Sequence, residues 1–173
     1  MGSGNIGATN VYRAAGTRAG VIVLLLDMLK GFLAVWLTSL ITPNHPLAAP
    51  LAAAAVMIGH GYPIWLGFKG GKAVACFVGA FLLLTPLALS VSLIIFIAIV
   101  GIFKYISLGS IVGAAVFPLA VWGLEHSPQP VLMASIFASL LIIYRHKANI
   151  SRLIKGQENV FSFRKGSTEE DTV

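Results

Sequence analysis

The sequence predicts an all-α membrane protein, a polytopic helix bundle of about six hydrophobic helices, some of them short, with both termini in the cytoplasm. Of its 173 residues, 57% are hydrophobic and only 10% are charged, whereas soluble domains carry about 25% charged residues. Apolar runs alternate with short polar breaks, without the period-two alternation of membrane strands. The basic residues concentrate on one set of breaks, as in cytoplasmic loops.

The predicted helices follow the apolar runs in order, at 19–41, 47–63, 73–84, 87–103, 111–124 and 131–144. The first is long enough to cross a bilayer, whereas the third is too short for a simple crossing. Short segments predict a thinned or internally buried architecture. The polar stretch 104–110 is predicted to be a connector, with Ser107 and Ser110 in a turn. Residues 1–158 are expected to form the membrane domain and 159–173 a disordered polar tail.

The charges support this topology. If the first residues are cytoplasmic, the cytoplasmic segments hold 11 of the 12 Lys and Arg, and Lys30 lies inside the first span. The net charge of +6 then points to membrane lipid headgroups and phosphorylated substrates as partners. We expect no nucleic-acid partner, because the basic residues lie in short loops without a soluble basic face. The single cysteine, Cys76, excludes an internal disulfide, and no cleavable signal peptide is expected.

The first thirteen residues, MGSGNIGATNVYR, predict a loop that binds phosphate. Glycines allow backbone N–H groups to approach an anion closely, and Arg13 offers a planar clamp for phosphate. Residues 2–7 match G-x-G-x-x-G, but no strand precedes them, so a dinucleotide site is rejected. The simpler alternative is a flexible loop that caps a helix. Thr9, Asn10 and Arg13 favour the phosphate site.

A second glycine-rich loop, Gly67–Lys72, reads GFKGGK. It is too short for a Walker A loop and lacks a Ser or Thr after the lysine. Two lysines and two adjacent glycines beside a helix N-terminus nevertheless suit an anion. A positively charged loop that only fixes membrane topology is an equally good interpretation of this segment alone.

Three other groups are candidates for function. Asp27 and Lys30 share one face of the first span and form either a functional site or a structural ion pair. His60 is a lone histidine near a helix end. A basic stretch at helical spacing follows the last span and either binds substrate or anchors in headgroups; it consists of Arg145, His146, Asn149 and Arg152. No metal site is predicted, because the histidines lack partners at ligand spacing.

Two enzyme classes are excluded by missing residues. No H-x-x-x-x-D pair occurs, so the His–Asp base of the common acyl-CoA-dependent glycerolipid acyltransferases is absent. Only two aspartates occur, which is too few for a CDP-alcohol transferase.

In combination, the motifs closely resemble the bacterial acyl-phosphate:glycerol-3-phosphate acyltransferase family (PlsY type). The matching segments are GSGNIGATN at 2–10, Gly59-His60 with Pro63 and GFKGGK at 67–72, and Arg145-His146 with Asn149-Ile150. The resemblance implies an all-helical enzyme of the bacterial inner membrane with its active site on the cytoplasmic side. Such an enzyme moves an acyl group from acyl phosphate to the 1-hydroxyl of sn-glycerol 3-phosphate, giving lysophosphatidic acid and phosphate. It uses no cofactor and no metal, and an enzyme that produces acyl phosphate is a candidate partner.

From the residues and the resemblance we expect three groups of site residues. The expected catalytic residues are Ser3, Asn5, His60 and His146. The expected substrate-binding residues are Gly4, Thr9, Asn10, Arg13, Lys69, Gly70, Gly71, Lys72, Ser107, Ser110, Arg145 and Asn149. The expected structural residues are Asp27, Lys30 and Glu158. Because acyl phosphate is already activated, the glycerol hydroxyl is expected to attack directly, with its proton passing to substrate phosphate or His60.

Two differences from the family pattern stand out. After Lys72 the family usually continues Gly-Val-Ala-Thr, and here the sequence is Ala73-Val74-Ala75-Cys76. The family also has another transmembrane helix before the first motif, which this chain is expected to lack. The alternatives to an active acyltransferase are an inactive truncated homologue and a transporter or channel for phosphorylated metabolites. A transporter should have polar residues along several spans, and only Asp27 and Lys30 fit that requirement.

Overall fold

The computed structural model describes residues 6–161, and they form seven α-helices and no strand. The helices are α1 (Ala8–Ile41), α2 (Ala48–Gly61), α3 (Val74–Leu84), α4 (Pro86–Phe103), α5 (Ile106–Ala120), α6 (Gln129–Arg145) and α7 (Lys147–Ile154). A 3-10 turn, Ile64–Leu66, follows α2, and a π-helical turn, Val121–Glu125, extends α5. The expected catalytic Ser3 and Asn5, the expected binding residue Gly4, and the tail beyond residue 161 lie outside the described residues.

The six predicted apolar helices are present, and their surfaces suit a bilayer. Four of the described helical segments are long and apolar enough to cross a membrane, and α6 with α7 forms a fifth, bent by 56°. Large apolar side chains on α1 and α4 point outward, with Leu25, Leu26, Ile94 and Ile97 between 57% and 66% exposed. Such a surface is stable against lipid and not against water. The prediction of an all-α membrane bundle is therefore confirmed.

Helix α3 occupies the interior of the bundle, which explains its short length. Its backbone lies so close to α1 that a Cβ at Gly79 would overlap the Met28 carbonyl, the close approach that small residues permit in membrane bundles. Phe77 and Phe81 pack against Phe117 of α5 with ring centroids 4.7 and 4.9 Å apart. Such tilted aromatic contacts add to the burial energy of the core.

The start of α1 doubles back at Gly16, which has φ 84° and ψ 179°, a backbone conformation open essentially only to glycine. As a result Tyr12 packs on Gly20, where an added Cβ would lie 2.7 Å from the Tyr12 Cβ. In a straight helix residues eight apart are separated by about 12 Å. The sequence prediction of a loop through Arg13 was wrong, because Thr9, Asn10 and Arg13 lie on a helical segment that begins at Ala8.

The predicted connector 104–110 was also wrong, because α5 already begins at Ile106. The connector is limited to Lys104, which takes φ 60° and ends α4, and Tyr105. Ser107 and Ser110 therefore lie in a helix and not in a turn. The Ser110 hydroxyl donates to the Ile106 carbonyl at 2.9 Å, which satisfies a serine inside a helix.

Candidate active site

The second glycine-rich loop, Gly67–Lys72, which we call the glycine loop, is docked onto the end of α2 by its backbone. Gly70 N–H donates to the Gly61 carbonyl at 3.2 Å, and Gly71 N–H donates to the His60 carbonyl at 3.1 Å. A Cβ at Gly71 would overlap the His60 imidazole, and one at Gly70 would overlap the His60 carbonyl. Glycine is therefore required at both positions for the loop to lie this close to α2.

Arg145, at the end of α6, holds the loop from the other side. Its Nε donates to the Gly71 carbonyl at 3.0 Å and its Nη2 donates to the Gly70 carbonyl at 2.8 Å. The guanidinium also lies over the Tyr62 ring, 4.7 Å from its centroid, a favourable cation–π contact. These contacts give Arg145 a role in shaping the loop, whereas the sequence suggested that it binds either substrate or lipid headgroups.

Lys72 ends the loop motif at the centre of a group of charges. Burial lowers the pKa of Lys72 to about 8; Glu158 opposes this shift, and Arg152, Arg13 and Arg145 add to it. We call Arg13, Lys72, Arg145 and Arg152 the cation cluster. Glu158 is the one carboxylate among the described charges that act on Lys72. The cluster is therefore net positive, and its field favours anions.

Glu158 joins three segments of the chain beside the cation cluster. It accepts hydrogen bonds from Ser107 at 3.0 Å, Asn149 at 2.8 Å and Arg152 at 2.8 Å. Burial would raise the pKa of Glu158, but these three hydrogen bonds outweigh it and lower the pKa. The geometry fits the structural role predicted for Glu158 and assigns Ser107 to its support.

His146 and Asn149 offer hydrogen-bond acceptors at the junction of α6 and α7. Both side chains are buried. The His146 Nδ1 lies 2.8 Å from the Ile142 carbonyl, which can only accept, so we assign the proton to Nδ1 and a free lone pair to Nε2. The Asn149 amide nitrogen donates to the Glu158 carboxylate, so the Asn149 Oδ1 points away from Glu158. This buried oxygen has no hydrogen-bond partner among the described residues.

A second group of polar side chains lies between α1, α2 and α3. Lys30 Nζ is 2.7 Å from Asp27 Oδ1 and 2.9 Å from His60 Nδ1. The ligand atoms of Asp27, His60 and Cys76 all lie within 4.8 Å of one another. We call Asp27, Lys30, His60 and Cys76 the interhelical cluster. The sequence predicted the Asp27–Lys30 pair but missed the convergence with His60 and Cys76, because three separate helices contribute to it.

The other expected site residues differ in their surroundings and their exposure. His60 faces Lys30 through Nδ1 and Gly71 through Nε2, which places it under the loop and within the interhelical cluster. Lys69 is exposed, whereas Lys72 is half-buried. Thr9 and Asn10 are half-buried on the first turns of α1.

Sequence comparisons match this chain to glycerol-3-phosphate acyltransferases. A family model described as glycerol-3-phosphate acyltransferase matches residues 1–156. The glycerol-3-phosphate acyltransferase of Syntrophotalea carbinolica is 46% identical over 160 residues, covering 92% of this chain and 81% of the relative. That of Geobacter sulfurreducens is 47% identical over 160 residues, with the same shares covered.

Two solved structures share the fold. The chain is similar to the crystal structure of PlsY (YgiH), an integral membrane glycerol 3-phosphate acyltransferase, in its glycerol 3-phosphate form. The TM-score is 0.88 at 38% identity, covering 94% of this chain and 80% of that one. For the lysophosphatidic acid form the TM-score is 0.85 at 38% identity, covering 92% and 81%.

Proposed function

Since the chain belongs to the glycerol-3-phosphate acyltransferase family, we propose that it transfers an acyl group from acyl phosphate to the 1-hydroxyl of sn-glycerol 3-phosphate. It is a membrane acyltransferase that uses glycerol 3-phosphate, consistent with the glycerol 3-phosphate and lysophosphatidic acid forms of the similar PlsY structure. The acyl-phosphate donor, the reacting hydroxyl and the residue roles below are the proposal. The observation that carries it is the net-positive cluster around Lys72 beside two buried acceptors.

The cation cluster suits the two phosphoryl groups of the proposed substrates. Lys72 and Arg13 supply charge without a matching carboxylate, so binding of a phosphate dianion relieves their mutual repulsion. Arginine gives planar, bidentate contacts and lysine a compact point charge. The glycine loop between them is held in one conformation by Arg145 and the end of α2. Such a preformed site does not have to reorganise when charge develops on the leaving phosphate.

The buried acceptors suit the glycerol hydroxyls. Asn149 Oδ1 can accept from one hydroxyl, and the unprotonated His146 Nε2 can accept from another. In the proposed step the 1-hydroxyl oxygen forms a bond to the acyl carbonyl carbon, and the bond from that carbon to the phosphate oxygen breaks. Phosphate leaves with the electron pair of that bond, and the hydroxyl proton passes to His146 Nε2 or to phosphate. No acyl-enzyme is formed, and Ser3 and Asn5 are proposed to contact the donor.

His60 is less suited than His146 to take this proton. Its Nδ1 lies at 2.9 Å from Lys30 Nζ, and its Nε2 lies against Gly71. To reach a substrate hydroxyl, the ring would have to leave Lys30 and Gly71. We therefore propose His60 as a support of the glycine loop, in place of the catalytic role expected from the sequence.

We further propose that the enzyme resides in the bacterial inner membrane with the active site and both termini on the cytoplasmic side. Eleven of the twelve Lys and Arg fall on that side in this orientation, as the positive-inside rule requires. Glycerol 3-phosphate would enter from water and the acyl donor from the bilayer or from the enzyme that makes it. The active domain would be residues 1–158, and 159–173 would be a tail.

A transporter for phosphorylated metabolites is the alternative, and the interhelical cluster argues against it. The charges inside the spans, Asp27 and Lys30, are paired with each other and with His60. Within residues 6–161 these two charges therefore form a contact between helices, which is unlike the series of separate polar groups that a transport path needs.

The test is a donor comparison with the purified full chain in detergent. Palmitoyl phosphate or palmitoyl-CoA is supplied with labelled glycerol 3-phosphate, and lysophosphatidic acid is measured. Product from palmitoyl phosphate alone supports the proposal, whereas product from palmitoyl-CoA contradicts it. No product from either donor would favour an inactive homologue. Isolation of a chain acylated at Ser3 that turns over with glycerol 3-phosphate would overturn direct attack.

A further inference from the structure

We propose that the interhelical cluster is a cation site in which Zn²⁺ can replace the ammonium group of Lys30. The site would be formed by Asp27 Oδ1, His60 Nδ1 and Cys76 Sγ, with water as a fourth ligand. It is separate from the cation cluster, and binding at it does not depend on the proposed function.

The spacing of the three ligand atoms fits a tetrahedral metal. In zinc sites bonds of about 2.0–2.3 Å place neighbouring ligand atoms roughly 3.3–3.8 Å apart. Asp27 Oδ1 and His60 Nδ1 are 3.4 Å apart, and Cys76 Sγ lies within 4.8 Å of a ligand atom of each residue. A small movement of Cys76 therefore completes the set. Carboxylate, imidazole and thiolate are all common zinc ligands.

A cation already occupies the place between these ligands. Lys30 Nζ lies 2.7 Å from Asp27 Oδ1 and 2.9 Å from His60 Nδ1, so it bridges the two atoms that would bind the metal. Cys76, the third ligand residue, lies beside the same two side chains. Side chains of neighbouring helices thus surround one positive charge, and the metal would bind where the Lys30 ammonium now lies.

The Lys30 side chain has room to leave. It is 43% exposed, compared with 12% for Asp27 and 4% for His60. Lys30 and His60 line an open cavity of about 290 Å³, which provides both an entry path for the metal and space for the displaced ammonium. The long, flexible stem of a lysine can cover an apolar wall while its charge reaches polar surroundings.

The charges of the ligand residues match the charge of the metal. Before exchange the Asp27 carboxylate and the Lys30 ammonium cancel, and Cys76 is a free thiol. Binding of Zn²⁺ releases one proton from the Cys76 thiol, and the carboxylate and thiolate together balance the metal. The set of ligands is therefore neutral with the metal bound, as metal sites between helices require. The displaced Lys30 ammonium no longer pairs with Asp27, and its charge moves toward the exposed side of the cavity.

If the proposed function holds, occupancy should also affect catalysis. The His60 carbonyl accepts from Gly71 N–H, and the His60 ring packs against Gly71. A metal bound to His60 would fix or shift this ring and with it the loop that Arg145 grips. We expect Zn²⁺ to lower acyltransferase activity.

The test uses Co²⁺ as a spectroscopic probe for the purified full chain in detergent. Cys76 is the single cysteine, so a thiolate-to-cobalt charge-transfer band reports this site alone. We expect the band in the wild type, its loss in Cys76→Ser, and its displacement by Zn²⁺. Lys30→Met removes the competing ammonium and should tighten Co²⁺ binding at least tenfold. His126→Ala, on the loop before α6, is the control and should leave binding unchanged.

Absence of the band in the wild type and in Lys30→Met would overturn the proposal, as would equal affinities in these two proteins. If Lys30→Met is poorly folded, Lys30→Gln serves in its place, and Zn²⁺ should raise the thermal stability of either variant. The cobalt spectrum needs no turnover. Loss of the proposed function would therefore appear in the donor assay and leave this result intact. Zn²⁺ inhibition of wild type but not of Cys76→Ser would establish the coupling to the loop.

Discussion

The two charged clusters of this bundle face each other across the glycine loop and are built on opposite principles. The cation cluster combines three arginines and Lys72 with one carboxylate, Glu158. The interhelical cluster pairs one carboxylate with one ammonium, and a histidine nitrogen lies 2.9 Å from that ammonium. One cluster is left with excess charge, whereas the other is internally neutral.

This difference in charge balance distinguishes a cluster suited to binding a ligand from a cluster that stabilises the fold. A protein gains no folding free energy by bringing like charges together, so the unbalanced cluster supports the proposed phosphate ligand, which would supply the missing charge. A balanced cluster of charges is stable without a ligand and holds its helices together. Asp27 and Lys30, the two charges that the sequence places inside the first span, belong to the balanced cluster.

The largest expected effect follows from removing the central charge of the cation cluster. We expect Lys72→Met to lower kcat/KM at least 100-fold and to raise the melting temperature of the substrate-free protein by a few degrees, because the buried charge and its repulsion with the arginines are lost. Activity assays and melting in detergent check both parts. Lys155→Met, which removes an exposed lysine from the same face, should change neither. A destabilised Lys72→Met protein would contradict the comparison.

Gly71 is the contact between the two clusters, since it packs against His60 and offers its carbonyl to Arg145. In Gly71→Ala the new Cβ overlaps the imidazole, so the loop must move. Misplacement by about 1 Å can cost on the order of 100-fold in rate, and we expect a loss of about that size. Gly101→Ala is the matched control, because its Cβ meets open space. Full activity in Gly71→Ala would show that the loop geometry is not needed.

The interhelical cluster should respond to charge removal in the opposite sense. Lys30→Met leaves the buried Asp27 carboxylate without its ammonium and should lower the free energy of unfolding by about 1–3 kcal/mol; the partial exposure of Lys30 keeps the value below that of a fully buried pair. The double variant Asp27→Asn with Lys30→Met should recover much of this loss. Unfolding in detergent measures both. A stabilised single variant would remove the distinction between the clusters.

The pH dependence of activity and stability tests whether Lys72 acts through its charge. Its pKa is lowered to about 8, so the folded protein loses this proton before the unfolded chain does. As the pH rises above about 8, kcat/KM for glycerol 3-phosphate should fall about tenfold per pH unit. Between about pH 8 and the ordinary lysine pKa of 10.5, the unfolded chain holds the Lys72 proton more tightly than the folded protein. The free energy of unfolding should therefore rise with pH over this range. Lys72→Arg retains its charge, so any remaining activity should lose the alkaline decline.

The smallest expected effect separates backbone strain from charge. Ala73 adopts φ 62°, the left-handed region that favours glycine, and its side chain is fully buried. Ala73→Gly should therefore stabilise the protein by about 1 kcal/mol with little change in the pH profile, as melting and a repeated pH series will show. A destabilised variant would mean that Cβ packing outweighs the strain.

The helices were predictable and the breaks were less so. Continuous apolar runs gave all six helices, including α3, whose short length implied the burial that the structure shows. The connector was predicted to cover 104–110, which is too long, because Lys104 and Tyr105 alone separate the two helices. The reversal at Gly16 carries no hydropathy signal, since it depends on a single backbone angle.

The residue types at the site were also predictable, but their partners were not. Glycines, lysines and arginines on one side of the membrane predicted a phosphate site. Assignment of Arg145 to loop support, Ser107 to Glu158 and His60 to Lys30 required distances between residues far apart in the chain. His60 shows this most clearly, because an isolated histidine in a sequence has no indicated partner.

The sequence by itself determined that this is a helical membrane protein and predicted phosphate-binding loops on one face, because hydropathy, charge asymmetry and local motifs act over a few residues. The tertiary structure decided which charges remain unbalanced. Helix packing alone brings Asp27, Lys30, His60 and Cys76 together and leaves Lys72 among arginines. The balance of charge in a cluster depends on distances between elements, and these distances are fixed only when the bundle has formed.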